Sequence, residues 1–224
     1  MTQNPAQMFA PPPWHLTGRG LVLLYRFPKG WAADHAHLAP YQRQTMWGRW
    51  GAVMLVDYET SGVGPYRELL CLPGMLDLDG KKRFSISKIY VSTQASVDNG
   101  RRNWAIPKEL GDFTWQVAPS GNARVAVNTA GHRVLETEFK PFGPPFPLTT
   151  ALLPLRLHQQ LDGQALETRP SATGWGRLAK VSDLVVNSVL FPELHGLKPL
   201  LTVAIERFRM TFPVPEAVSA ADGV

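Results

Sequence analysis

Cysteine is almost missing from this chain. Cys71 stands alone, so no internal disulfide can form, which fits a reducing compartment. Long apolar runs are missing as well: none reaches the roughly 18 residues of a membrane-spanning helix. Residues 1–13 carry no charged segment followed by an apolar one, so no signal peptide is expected. The expected setting is cytoplasmic, with no membrane partner. Charged residues make up only 18% of the chain, and the net charge of +5 comes from scattered lysines and arginines. The densest runs, Lys81-Lys82-Arg83 and Arg101-Arg102, are short and accompany no nucleic-acid-binding module. Nucleic acid is therefore not an expected partner, whereas attraction of a small anionic substrate suits the same charge. A Gly-rich phosphate loop, CxxC, HExxH and GxSxG are all absent, which argues against the nucleotide, metalloprotease and α/β-hydrolase chemistries they signal. No cofactor and no metal are expected. The pattern nearest to a metal site is Asp34-His35-Ala36-His37. In a strand its two histidines would share a side, but no third ligand follows at a fitting spacing, and a solvated loop is the preferred reading.

What is present is a chain of 224 residues, 44% hydrophobic, long enough to bury a large core. Its 20 prolines and 19 glycines exceed the average share, and both residues interrupt helices, so many turns and few long helices follow. GLVLLYRF (20–27), GAVMLVDYE (51–59) and YRELLCLPG (66–74) read as strands. The turn chemistry of SGVGP (61–65) makes 51–74 a hairpin. ISKIYVST (86–93) alternates apolar and polar, as a half-buried strand does. Residues 95–103 suit a short helix ahead of Pro107. DFTWQVA, ARVAVNTA and RVLETEFK follow as a meander, PFGPPFP (141–147) as a connector, and LTVAIERFRMTFP (201–213) as a long final strand. Most of the seven tryptophans are expected in the core. The expected fold is mostly β, in the α+β class: one antiparallel barrel-like or cone-like sheet with a few short helices, because closure removes exposed edges. Residues 14–214 form the domain, 1–13 a flexible N-terminal arm and 215–224 a flexible tail.

One stretch carries chemistry. In GRRNWAIPKELG (100–111), Lys108 follows Pro107 among Trp104, Ala105, Ile106 and Leu110. A lysine is nucleophilic only when neutral, and its ordinary pKa of about 10.4 keeps it charged near pH 7. Apolar burial favours the neutral form by penalising the ammonium. Pro107 fixes its own φ and restricts Ile106, which pre-sets the backbone leading to the lysine. On composition alone, Lys108 remains open between a surface charge and a nucleophile.

The same stretch resembles the active-site segment of the acetoacetate decarboxylase family, in which Gly-Arg-Glu is followed by Pro-Lys-Lys-Leu. Gly100, Arg101, Pro107, Lys108, Leu110 and Gly111 match without a gap. ETSGVGPYRE (59–68) is similar to the family segment that ends in Tyr-x-Glu, and its glutamate falls on Glu68. GRGLVLLYR (18–26) is similar to the family's early strand entered through an arginine, a place Arg19 takes with one residue gapped. The resemblance implies a Schiff base: the Lys108 amine attacks a ketone, and the iminium accepts the electrons released as CO₂ departs. Glu68 would position the substrate or shuttle protons. Arg19 would pair with a substrate carboxylate, and Tyr66 and Trp104 would line the substrate site. The implied partners are a small keto acid or ketone and further copies of the chain in a homo-oligomer.

Three letters depart from the family pattern. Glu109 replaces the second lysine, Arg102 replaces the glutamate of Gly-Arg-Glu, and Val53 stands where a further acid is usual. The first two are expected to compensate each other as a structural ion pair of reversed polarity, with Glu109 pointing away from Lys108 because neighbours in extended chain face opposite ways. The expected function is a Schiff-base lyase decarboxylating a small or medium β-keto acid. A Schiff-base aldolase or dehydratase, and a barrel that binds a carboxylate or ketone without turnover, are the alternatives.

Overall fold

The structure is a computed structural model that describes residues 9–151 and 155–218. The first strand, β1 (Trp14–Arg26), is followed by two helical turns, α1 (Trp31–His35) and α2 (Pro40–Thr45). Next come β2 (Trp50–Thr60), β3 (Tyr66–Leu72), β4 (Met75–Leu78), β5 (Lys81–Phe84) and β6 (Lys88–Val91). Helix α3 (Gln94–Trp104) leads into β7 (Glu109–Leu110), β8 (Asp112–Val117), β9 (Ala123–Thr129) and the long β10 (His132–Thr149). The chain ends with β11 (Leu157–Leu161), β12 (Gln164–Thr168), β13 (Ser171–Val186), β14 (Leu201–Phe212) and β15 (Glu216–Ala217).

Ten strands form one sheet in the order β7-β6-β3-β2-β1-β14-β13-β10-β9-β8. Only Gly111 separates its two outermost strands in sequence, so the sheet curls into a nearly closed barrel. Strands from both ends of the chain meet where β1 pairs with β14. Side chains alternate across the sheet, and the alternation makes two cores. Leu21, Leu23, Val53, Leu55, Leu69, Cys71, Val125, Val127 and Leu135 fill the barrel interior. Leu16, Val56, Tyr58, Tyr66, Leu70 and Val91 face outward and are covered by Val97 and Trp104 of α3 and by Leu157 of the second sheet. Among the described residues no helix is long and apolar enough to cross a membrane.

The hairpin over 51–74, the strand at 86–93 and the helix at 95–103 are where the sequence pattern places them. Residues 141–147 differ from expectation: instead of a connector they continue β10. Beyond Phe139 that strand has lost its β9 neighbour and pairs only with β13, so its prolines need no ladder bond on the free side. A bulge between Phe142 and Phe146, with Gly143 at φ 73°, absorbs the irregularity. Strand β13 is not evident from the sequence. Asp34-His35-Ala36-His37 forms the end of α1, His37 binds the Ser188 carbonyl at 2.9 Å, and no group of three potential metal ligands exists among the described residues. Of the tryptophans, Trp14, Trp31 and Trp104 are buried, but Trp47, Trp50 and Trp175 are exposed. The expected arm is described only from Phe9, where Ala10 is tied to α3 through Asn99 and Asn103. In the expected tail, β15 pairs with β12. Residues 1–8 of the expected arm and 219–224 of the expected tail lie outside the described residues.

The second sheet, β15-β12-β11-β5-β4, packs over a buried polar layer. Arg83 meets Glu167 there at 2.7 Å, and His158 is buried beside them. Burial lowers the His158 pKa, as does the Arg83 charge, against an opposing pull from Glu167. The folded chain therefore binds this proton less readily than the unfolded chain does. That difference is without effect above the unfolded value of about 6.5 and costs stability as pH falls below it toward the lowered folded value. Denaturation midpoints measured between pH 8 and 5 should fall in that acid range, and His158→Gln should flatten that part of the profile; an unchanged slope in the variant would remove His158 as its cause.

Candidate active site

Lys108 emerges from the end of α3. Thr93 caps the helix start by accepting from the Ser96 N–H at 3.3 Å. At the other end Ala105 turns left-handed, at φ 54°, and its N–H closes on the Arg101 carbonyl at 3.0 Å. Pro107 prevents the helix from resuming, and the Lys108 N–H returns to the Ile106 carbonyl at 2.8 Å. This tight exit sends the lysine side chain back beneath α3, where only 4% of it is exposed.

All three ammonium protons find partners there. Nζ donates to Glu68 Oε2 at 3.0 Å, to Ser96 Oγ at 3.1 Å and to Tyr66 Oη at 3.4 Å. Glu68 is buried on β3, and its other oxygen accepts from Tyr58 Oη at 3.3 Å. Tyr58 and Tyr66 face each other across the β2–β3 hairpin with ring centroids 4.6 Å apart. Burial pushes both phenols well above their ordinary pKa, and the Glu68 charge adds to the rise. They therefore remain protonated. The arrangement is a carboxylate and an amine in direct contact, walled by two phenols and a hydroxyl, with a path for one proton between Nζ and Oε2.

The structure gathers Lys108, Glu68 and Tyr66, and it separates the other expected residues from them. Arg19 pairs with Asp57 at 3.0 and 2.9 Å, and Asp57 also holds Arg67 at 3.0 Å. Register explains this: Arg19 lies opposite Asp57 and Asp57 opposite Arg67, whereas Glu68 lies opposite Val56. Arg19 thus projects from the face opposite Glu68, over the Trp115 ring. Trp104 is a packing residue, edge-on to Trp14 and Phe212, with its indole N–H on the Pro213 carbonyl at 2.8 Å. The expected Arg102–Glu109 pair is not formed. Glu109 leaves the β7 edge toward Lys88, 2.6 Å away, and Arg102 lies on the exposed side of α3, 4.1 Å from the Phe9 ring. Val53 is fully buried inside the barrel. An open groove of about 430 Å³, lined by His15, Thr17, Thr60, Ser171 and Arg209, does not include Lys108.

Tyr58 and Ser96 were not singled out from the sequence. Tyr58 had a signal, since the turn at 61–65 sets it opposite Tyr66. Ser96 had only its place after Thr93 at a helix start.

A model of the family described as acetoacetate decarboxylase matches residues 4–161. No curated protein matches the sequence. Among solved structures, the enduracididine biosynthesis enzyme MppR complexed with pyruvate superposes with a TM-score of 0.64 at 17% identity, covering 96% of this chain and 93% of that one. Acetoacetate decarboxylase from Legionella pneumophila subsp. pneumophila str. Philadelphia 1 gives 0.62 at 13% identity, covering 93% and 88%. An acetoacetate decarboxylase-like enzyme from Sphingomonas wittichii RW1 gives 0.62 at 11% identity, covering 98% of each chain. At such identities the likeness is one of fold.

Removing one member of a buried ion pair strands the other. Glu68→Ala should cost about 3–5 kcal/mol of unfolding free energy, and Tyr58→Phe, which removes a single hydrogen bond, about 1 kcal/mol. Urea titrations of the two variants check both, and equal small losses would show that the pair is not buried as a unit.

Proposed function

The chain belongs to the acetoacetate decarboxylase family, and on that premise we propose that it is a Schiff-base-forming lyase with the Lys108 amine as nucleophile. The observation that carries this reading is the buried contact between Nζ and Glu68 Oε2 at 3.0 Å. An ammonium has no lone pair, so the first step is proton transfer from Nζ to Oε2, which turns a buried ion pair into a neutral amine and a carboxylic acid. The amine then forms a C–N bond to the substrate carbonyl carbon. Two protons go to the carbonyl oxygen, one from Nζ and one from the Glu68 acid, and it departs as water, leaving an iminium beside a Glu68 carboxylate. In a β-keto acid, the electrons of the bond to the carboxylate carbon flow into that iminium as CO₂ leaves, giving an enamine. Glu68 takes up a fresh proton from solvent and delivers it to the enamine carbon, and hydrolysis frees the lysine. Tyr58, held as a phenol against Oε1, steadies Glu68 in both protonation states.

A second reading has an observation of its own. Arg19 is engaged with Asp57 on the other face of the sheet, so a substrate carboxylate entering beside Lys108 meets Glu68 without that guanidinium. An uncharged carbonyl compound fits such a site better, and the same imine then serves aldol or dehydration chemistry. MppR also occurs in a complex with the condensation product of pyruvate and imidazole 4-carboxaldehyde.

Borohydride reduction with acetone, pyruvate or acetoacetate should add the ligand mass to Lys108 and leave Lys108→Ala unmodified. If no member of a ketone panel is trapped, both enzyme readings fall and a non-catalytic binding barrel replaces them. With trapping established, CO₂ release from acetoacetate supports the decarboxylase, and its absence together with turnover of an aldehyde and acetone supports the aldolase.

A further inference from the structure

Ser96 and Gly100 lie one turn apart on α3, and both meet the Lys108 side chain. A Cβ added at Gly100 would fall 2.5 Å from Lys108 Cδ, 2.8 Å from Cε and 3.2 Å from Cγ. The first two separations are too short for non-bonded carbons, so the lysine stem occupies the volume that any other residue at 100 would fill. The Gly100 backbone is ordinary helix, and alanine is the better residue in a helix interior. Space for the lysine, not backbone conformation, is therefore what the glycine provides. One turn earlier, Ser96 is wholly buried, and its Oγ lies 3.1 Å from Nζ. The helix itself is pinned: Asn99 and Asn103, on the same stretch, hold the N–H and the carbonyl of Ala10 at 2.8 Å each.

We propose that Gly100 and Ser96 form a slot in α3 that sets the reach and direction of the Lys108 amine, which makes both of them positioning residues for the imine chemistry. The proposal rests on the Schiff-base reading of Lys108. Gly100 lets the stem lie against the helix axis, so Nζ stops beside Glu68 instead of swinging outward. Ser96 supplies a second anchor from a different element, and two anchors, one on β3 and one on α3, define an orientation that one alone does not. A nucleophile held in that orientation reacts from a single approach geometry.

The test uses the full chain, acetone as the probe, and reductive trapping at Lys108 followed by intact-mass measurement. Ser96→Ala should lower the maximal trapping rate by about tenfold and leave the half-saturating acetone concentration unchanged, a split that a general loss of structure would not give. Gly100→Ala should lower trapping by at least about tenfold. It should also destabilise the chain much less when Lys108 is already alanine, because the clash is with the lysine stem. Wild-type trapping rates in both variants, or an equal cost of Gly100→Ala in the two backgrounds, would overturn the slot. If wild-type protein is not trapped at all, the Schiff-base reading fails, while the stability comparison still judges the slot. If Gly100→Ala does not fold in the wild-type background but folds with Lys108→Ala, that rescue is itself the expected coupling.

Discussion

The contact between Lys108 and Glu68 is the constraint around which this part of the molecule is arranged. Two opposite charges are withdrawn from water, and each withdrawal costs several kcal/mol unless good geometry and further hydrogen bonds offset it. The surroundings supply those bonds. Ser96 and Tyr66 complete the donors of Nζ, and Tyr58 takes the second oxygen of Glu68. Those groups come from α3, β2 and β3, so satisfying one ion pair fixes the position of a helix against a hairpin. A carboxylate 3.0 Å from an amine can accept its proton directly, which is the step that the proposed Schiff-base chemistry requires.

Strand alternation divides the charged residues of the chain between two environments. Arg19, Asp57 and Arg67 lie on one face of the sheet and neutralise one another in part. Glu68, Tyr58 and Tyr66 lie on the other, under α3. Adjacent residues such as Arg67 and Glu68 thus serve separate clusters, although they are neighbours in the chain. The lysine and glutamate are the part of the site that the family resemblance brought out. What shares their face is set by the register of β1, β2 and β3.

Much of the fold was legible because its signals are local. Short apolar runs marked β2 and β3, alternation marked β6, and SGVGP marked the turn between β2 and β3. Strand β10 was read too short because its prolines argue against a ladder, and only the loss of β9 as a neighbour removes that objection. Strand β13 mixes glycine, charged and apolar residues and buries only two of its 16 residues, so its pattern is faint. In the site, Lys108, Glu68 and Tyr66 could be picked out from their motifs. The Arg102–Glu109 pair was inferred from reversed polarity alone; the exposed faces of α3 and β7 give each residue a different partner.

The sequence by itself determined several strands, among them β2, β3 and β6, the β2–β3 hairpin, the end of α3 ahead of Pro107, and the lysine worth suspecting, since each follows from residues within a few positions of one another. Only the tertiary structure decided what that lysine touches. Its partners Ser96, Glu68 and Tyr66 lie 12, 40 and 42 residues away, and whether Arg19 joins them depends on a strand register that shifts at Gly18. A shift of one residue turns a side chain to the opposite face of a sheet, so the composition of the site was settled by pairing between distant strands and not by any segment read alone.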